Sequence, residues 1–309
     1  MRVVIIALIL MLLLLAGIVP AACGPKEVKF PDPGLEIAIR EKIKKPAGAI
    51  LPSDLEGLIQ LEVQLSGISD LTGLEYCTNL TALWLEGNHI TDISPLASLK
   101  KLTELMLTGG QITDVSPLAS LNNLTELWLS NNRITDISPL ASLKNLKLLS
   151  IYGNQISDIS SLTSLTNLTV LALDDNQISD ISPLASLTNL TSLTLGDNRI
   201  SDISSLASLT NLTTLMLGGN QISEISPLAS LKNLEKLFLS SNQIKDVSPL
   251  ASLSNLTTLW LDENQITEMA PLLYLTKLKS VHIEENPLSS TSIEVYIPQL
   301  KEKGVLISW

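Results

Sequence analysis

Cysteine is nearly absent: Cys23 and Cys77 are the only two in 309 residues. At most one disulfide can form, and no thiolate cluster of metal-binding spacing can be assembled. Cys77 lies in a regularly spaced apolar stretch and reads as a buried free thiol, a small hydrophobe. Histidine is equally scarce. His89 and His282 stand almost nine repeats apart, roughly 40 Å at about 4.8 Å per strand, too far to share a metal or a catalytic site. Serine is plentiful, yet neither a G-x-S-x-G elbow nor a phosphate-binding G-x-x-x-x-G-K-[ST] loop occurs. The sequence therefore reads as a non-enzyme that needs no cofactor and no metal. Basic charge is in deficit, with 20 Lys and Arg against 31 Asp and Glu and a net charge of −11. Such a surface repels phosphate backbones, which excludes nucleic acid as a partner. Aromatics make up 3% of a chain that is 45% hydrophobic, so the core must be built from Leu and Ile. That bias is the mark of a repeated packing unit.

The repeat is explicit. From Leu58 the chain follows L-x-x-L-x-L-x-x-N-x-I-x-D-I-S-P-L-A-S-L-x-N every 22 residues, with units opening at Leu58, Leu80 and so on to Leu278. Eleven units run in one phase, the first and last degenerate. Leu83 and Leu85 alternate with outward residues, the period-2 pattern of a short strand with one buried face, and stacking the units makes a parallel sheet. Asn88 recurs in nine units up to Asn286, at a turn where its amide can satisfy backbone groups that are costly to leave unpaired. Ser66 and Gly110 replace it in their units, and loosening is expected at Gly110. Ser94 before Pro95 suits a helix start with Ser as the cap, and the few residues that follow allow one turn, of 3₁₀ type.

These columns resemble the leucine-rich repeats of bacterial internalins, over Leu58 to about Leu288. The expected fold is thus an α/β repeat solenoid: a leucine-rich repeat horseshoe or arc with a parallel β-sheet on the concave face and short 3₁₀ helices on the convex face. Residues 58–288 form the repeats. Residues 35–57 are expected as a helical N-terminal cap, because Leu35, Ala38, Ile39 and Ile43 share one helical face and Ser53-Asp54-Leu55-Glu56 reads as a capping box. Residues 289–309 are expected as a C-terminal cap, a helix over Ile293–Lys303 followed by a strand over Val305–Trp309.

Ahead of the caps, residues 1–22 read as a signal peptide: Arg2, an apolar run from Val3 to Val19, then Ala21 and Ala22 before Cys23. The small residues ahead of Cys23 resemble the lipobox of bacterial lipoproteins. That resemblance implies lipidation at Cys23, a membrane anchor and residues 23–34 as a short linker. Ordinary cleavage nearby and retention of the run as an anchor are the alternatives. All three put the chain outside the cytoplasm.

Framework columns barely change between units, so individuality lies in the columns that do. The outward position between the two strand leucines reads Glu62, Trp84, Met106, Trp128, Ser150, Ala172, Thr194, Met216, Phe238, Trp260 and His282. It holds three of four tryptophans and one of two phenylalanines. Two apolar stripes are expected, Trp84, Met106 and Trp128 edged by Tyr152, and Met216, Phe238 and Trp260. Carboxylates surround them, including Glu86, Glu104 and Glu126. Exposed aromatic clusters mark interaction surfaces, and this one suits a protein or peptide partner with apolar knobs and a basic rim.

Other readings remain open. Tryptophans beside carboxylates also suit cell-wall polysaccharide. The stripes could instead pack on one another in a structural spacer, and intracellular phosphatase-scaffold proteins use 22-residue repeats too. The pairs Asp174-Asp175, Asp262-Glu263 and Glu284-Glu285 offer oxygens of the kind calcium takes, although solvated strand ends account for them equally. Six N-L-T tripeptides match a glycosylation sequon but follow from the repeat ending in Asn and restarting in Leu-Thr.

Overall fold

A computed structural model describes residues 26–309; the signal segment and Cys23 lie outside the described residues. Twelve three-residue strands, from β1 (Gln60–Glu62) to β12 (Leu306–Ser308), form one open sheet in chain order, parallel throughout. Register advances by one repeat per strand, so Leu83 pairs with Leu105 and Leu105 with Leu127. Ten short 3₁₀ helices line the opposite side, from Leu74–Tyr76 to Ala270–Tyr274. Strands stack about 4.8 Å apart and the helical side needs more room per repeat, which bends the stack into an arc with the sheet inside. Between the two layers runs a single core of leucine and isoleucine columns, nearly all without solvent contact.

What aligns one repeat on the next is the buried asparagine. The Nδ2 of Asn198 donates to Leu173 O at 3.0 Å, Leu195 O at 3.2 Å and Gly196 O at 3.0 Å, while its Oδ1 accepts from Ile178 N at 3.0 Å. One amide thus serves backbone groups of two successive repeats. The same set recurs from Asn132 to Asn286. At Gly110 no side chain can reach Ile90 N–H, whose counterparts Ile68 and Ile112 are held by Asn88 and Asn132. The neighbouring backbone bond from Gln111 N to Ile90 O is kept at 2.9 Å.

The helix starts differ from the expectation. Ser94 is not the capping residue: it is the first residue of the helix Ser94–Ser98, with Pro95 second. Asp92 does the capping, its Oδ1 accepting from Ser94 N at 2.8 Å and its Oδ2 from the Ser94 hydroxyl at 3.0 Å. An Asp two residues ahead has the right reach for this Asx turn. Glu224, one methylene longer in the same column, accepts no such bond among the described residues.

At the N-terminal end α1 (Pro33–Lys42) buries Leu35 and Ile39 under a cap by Asp32. Asp32 also accepts from Ser69 N at 2.9 Å, tying helix to first repeat. Within the linker expected over residues 23–34, Val28 and Phe30 are buried and Val28 bridges Ile50. Two more apolar side chains are needed to cover the first layer. Gly73, at φ +102°, leaves room for the Phe30 ring, which would lie 2.6 Å from any Cβ there. The second helix, α2 (Pro52–Leu55), starts ahead of Ser53, with Asp54 accepting from Leu51 N at 2.7 Å. At the other end a helical turn over Ser292–Tyr296 leads into α3 (Ile297–Glu302), and β12 closes the sheet.

Three predictions follow from this packing. Asn198→Ala should cost about 3 kcal/mol in urea unfolding, because it strands several buried backbone groups; a loss below about 1 kcal/mol would refute the ladder's role. Cys77 is fully buried, and burial followed by the Glu75 charge pushes its thiol up to about 12. Peptide mapping after treatment with a thiol reagent near neutral pH should therefore find Cys77 labelled only as fast as the protein unfolds. Finally, burial raises the Asp32 carboxyl but backbone amides of Ser69, Leu35, Asp70 and Gly34 outweigh it, and Ser138, Ser160 and Ser182 likewise hold Asp136, Asp158 and Asp180 below the usual range. Carboxyls depressed in the folded state stabilise it above their unfolded values and lose that contribution as pH falls through the folded ones. The thermal midpoint should hold from pH 7 to about 5 and decline below about 4, and a flat profile would contradict this.

Candidate functional site

The first and third residues of each strand point away from the core, as does the second residue after the strand, so the concave face carries three outward columns. In the middle column Trp84, Met106 and Trp128 lie on adjacent strands in register, each half-buried. Met216, Phe238 and Trp260 do the same further along. Trp260 is 41% exposed. It meets the Phe238 ring edge-on with centroids 5.0 Å apart and leans on His282 at 4.9 Å. His282 in turn bonds Ser308 Oγ through Nδ1 at 2.8 Å, which anchors this stripe to the C-terminal cap. The stripe is therefore partly self-packed, and its outer ring remains open.

Glu104 and Glu126 occupy the first outward column beside Met106 and Trp128, and Glu86 and Tyr152 the third. Between the two stripes Ser150 is buried and bonded to Ser130 at 2.8 Å, so the middle of the face is low. The sequence reading overlooked Leu148 and Val170, paired in the first column and half-buried. They carry apolar surface across the gap between the stripes. Nothing within a single unit marks them, because the two side chains become neighbours only when their strands pair.

A second feature unread in the sequence is a depression of ≈ 430 Å³ beside the second stripe. Met216, Phe238 and Trp260 form one wall and Gly196 and Gly218 the floor, with Asp174 and Asp197 at its edge. The Asp174 carboxylate is fixed by Gly196 N at 2.8 Å and by the Thr194 hydroxyl.

Electrostatically this face is unbalanced. Among the described residues the two ion pairs, Arg40–Glu36 and Lys45–Asp54, both sit in the N-terminal cap. Among the described residues the concave carboxylates have no cationic partner. Nor do the acidic pairs converge on a metal: Asp262 accepts from Ser240 Oγ at 3.1 Å and Glu284 N at 3.0 Å, and Glu263 from Ser241 Oγ at 2.8 Å. Among the described residues no group of three or more potential ligands could hold a metal ion. The asparagines of the N-L-T tripeptides are engaged as well, Asn123 Nδ2 donating to Lys100 O at 2.7 Å and Asn167 to Lys144 O at 2.8 Å. No helix of the described residues is long and apolar enough to cross a membrane.

Comparison with known proteins agrees with this architecture. The family described as leucine rich repeats (2 copies) matches residues 78–120, 122–164, 166–208 and 210–252, more than half of the chain. An internalin, InlF, from Listeria monocytogenes is 35% identical, with 94% of each chain covered and a TM-score of 0.83. Internalin C2 from the same organism is 43% identical over 69% of this chain and 94% of its own, with a TM-score of 0.64. A leucine-rich repeat protein of Leptospira interrogans is 25% identical over 83% of this chain and 73% of its own, with a TM-score of 0.70. No curated protein matches the sequence. Leucine-rich repeats are in general protein-interaction modules, and the internalin-like ones are binding proteins without enzymatic activity. With four in-phase family matches and an internalin aligned over nearly its whole length, this chain belongs to the leucine-rich repeat family as an internalin-like protein.

Proposed function

We propose that the protein is an extracytoplasmic binding module that holds a protein or peptide partner on its concave face, tethered to a membrane through lipid on Cys23. The observation that carries the binding reading is the middle outward column: its aromatic and methionine side chains stand in register on a face that the core does not need. Tryptophan and other large apolar groups dominate interface energetics. The surrounding carboxylates, in no ion pair among the described residues, steer basic partners toward the face and disfavour acidic competitors. The anchor rests on the sequence alone, on Ala21-Ala22-Cys23 after an apolar run. A polysaccharide ligand is the second reading, since Trp128 and Trp260 also offer ring faces to sugars.

The double variant Trp128→Ala/Trp260→Ala separates these readings. Capture from envelope and extracellular fractions should yield a protein band with the parent protein that the variant loses, with affinity at least tenfold weaker. Both proteins should keep the same far-ultraviolet circular dichroism. Undiminished capture by a folded variant would overturn the concave-face reading. Retention on purified wall polysaccharide that the double variant loses would favour sugar.

A further inference from the structure

We propose that the C-terminal half of the concave face takes an extended peptide segment of the partner that lies across the strands, with cationic side chains at both ends and apolar ones between. This rests on the concave-face reading above and adds the chemistry and spacing of the occupant. Along the third outward column the residues run Asp174, Gly196, Gly218, Ser240 and Asp262. Carboxylates bound a stretch of minimal side chains, and the depression opens over that stretch. A floor of Gly196 and Gly218 lets a peptide main chain come close. The wall of Met216, Phe238 and Trp260, the last 41% exposed, gives apolar side chains a surface.

Both ends are set for positive charge. Asp174 is held by the Gly196 amide and the Thr194 hydroxyl, so its carboxylate is oriented before any ligand arrives. Asp197 lies over Gly219, where the carboxylate occupies the space a Cβ would take. Among the described residues no group donates to the Asp197 carboxylate. At the far end Asp262 is oriented by Ser240 and Glu284 N, and Glu263 by Ser241. Among the described residues no cation forms an ion pair with either end. Arg199 donates instead to Gln177 Oε1 at 3.2 Å, and Lys236 lies across Phe238 from the depression, at the first position of its strand. Asp174 and Asp262 are four strands apart, about 19 Å at roughly 4.8 Å per strand. An extended chain rises about 3.3 Å per residue and turns every second side chain to one face. Cations six residues apart, with apolar residues at the second and fourth positions between them, fit both the distance and the wall.

The probe is the synthetic heptapeptide acetyl-Arg-Ser-Leu-Ser-Leu-Ser-Arg-amide, titrated into the full protein and followed by calorimetry and by the Trp260 indole resonance, with the citrulline-for-arginine peptide as neutral isostere. The arginine peptide should bind at low salt, shift the Trp260 signal and weaken as salt rises. The citrulline peptide should bind at least about fivefold more weakly. Asp174→Asn/Asp197→Asn and Asp262→Asn/Glu263→Gln should each cause a comparable loss, while Glu41→Gln/Glu56→Gln, exposed in the N-terminal cap, leaves binding unchanged. Equal binding of both peptides, no binding of either, or indifference to both C-terminal charge variants would overturn the proposal. If those variants are silent while Trp128→Ala/Trp260→Ala still loses the captured partner, only this subsite fails. If that aromatic double variant also keeps its partner, the concave-face reading fails with it.

Discussion

Everything in this molecule depends on holding each repeat in register on the one before it, and the buried asparagine does most of that work. A three-residue strand leaves backbone groups at the following turn with no strand partner. The side-chain amide supplies two donors and an acceptor where those groups would otherwise be buried unpaired, a loss of about 1–3 kcal/mol each. Because its partners lie 20 and 25 residues back, a unit one residue longer or shorter would move them out of reach. The unbroken 22-residue phase follows from this constraint as well as from the leucine columns.

Weaker ladders reinforce the same register nearer the surface. Asn123, Asn145 and Asn167 each donate to a carbonyl 23 residues earlier. Ser142 and Ser164 bond alanine carbonyls of the preceding helix, and Thr125 and Thr191 bond the carbonyl just ahead of the preceding strand. The columns that look monotonous in the sequence are those whose side chains reach the neighbouring repeat, so they are not free to vary. Variation is confined to positions facing solvent, and that is why individuality gathers on the concave face.

One column mixes both demands. The residue before each ladder asparagine adopts the left-handed conformation, as at Gly87, Asn131, Asp197 and Glu263. Glycine, asparagine and aspartate fit there with little strain, whereas a longer side chain costs about 1 kcal/mol or more. Glu263 and Glu285 occupy it at φ +53° and +54°. Leu65 and Ser241 adopt the same conformation in their units, at φ +50° and +55°.

Read without coordinates, the chain determines its repeat phase, the leucine and isoleucine core, the parallel sheet, the buried asparagine column and the outward column that carries Trp84, Trp128 and Trp260. All of these are periodic within single units, and periodicity is visible in one dimension. Tertiary structure decided what arises between units or at their ends. Asp92 rather than Ser94 caps the helix, Val28 and Phe30 join the cap, Leu148 and Val170 bridge the stripes, and glycines 22 residues apart floor a depression bounded by carboxylates. All but the Asp92 turn, which spans two residues of a single unit, depend on side chains meeting across neighbouring layers, a distance that only the stacked solenoid sets.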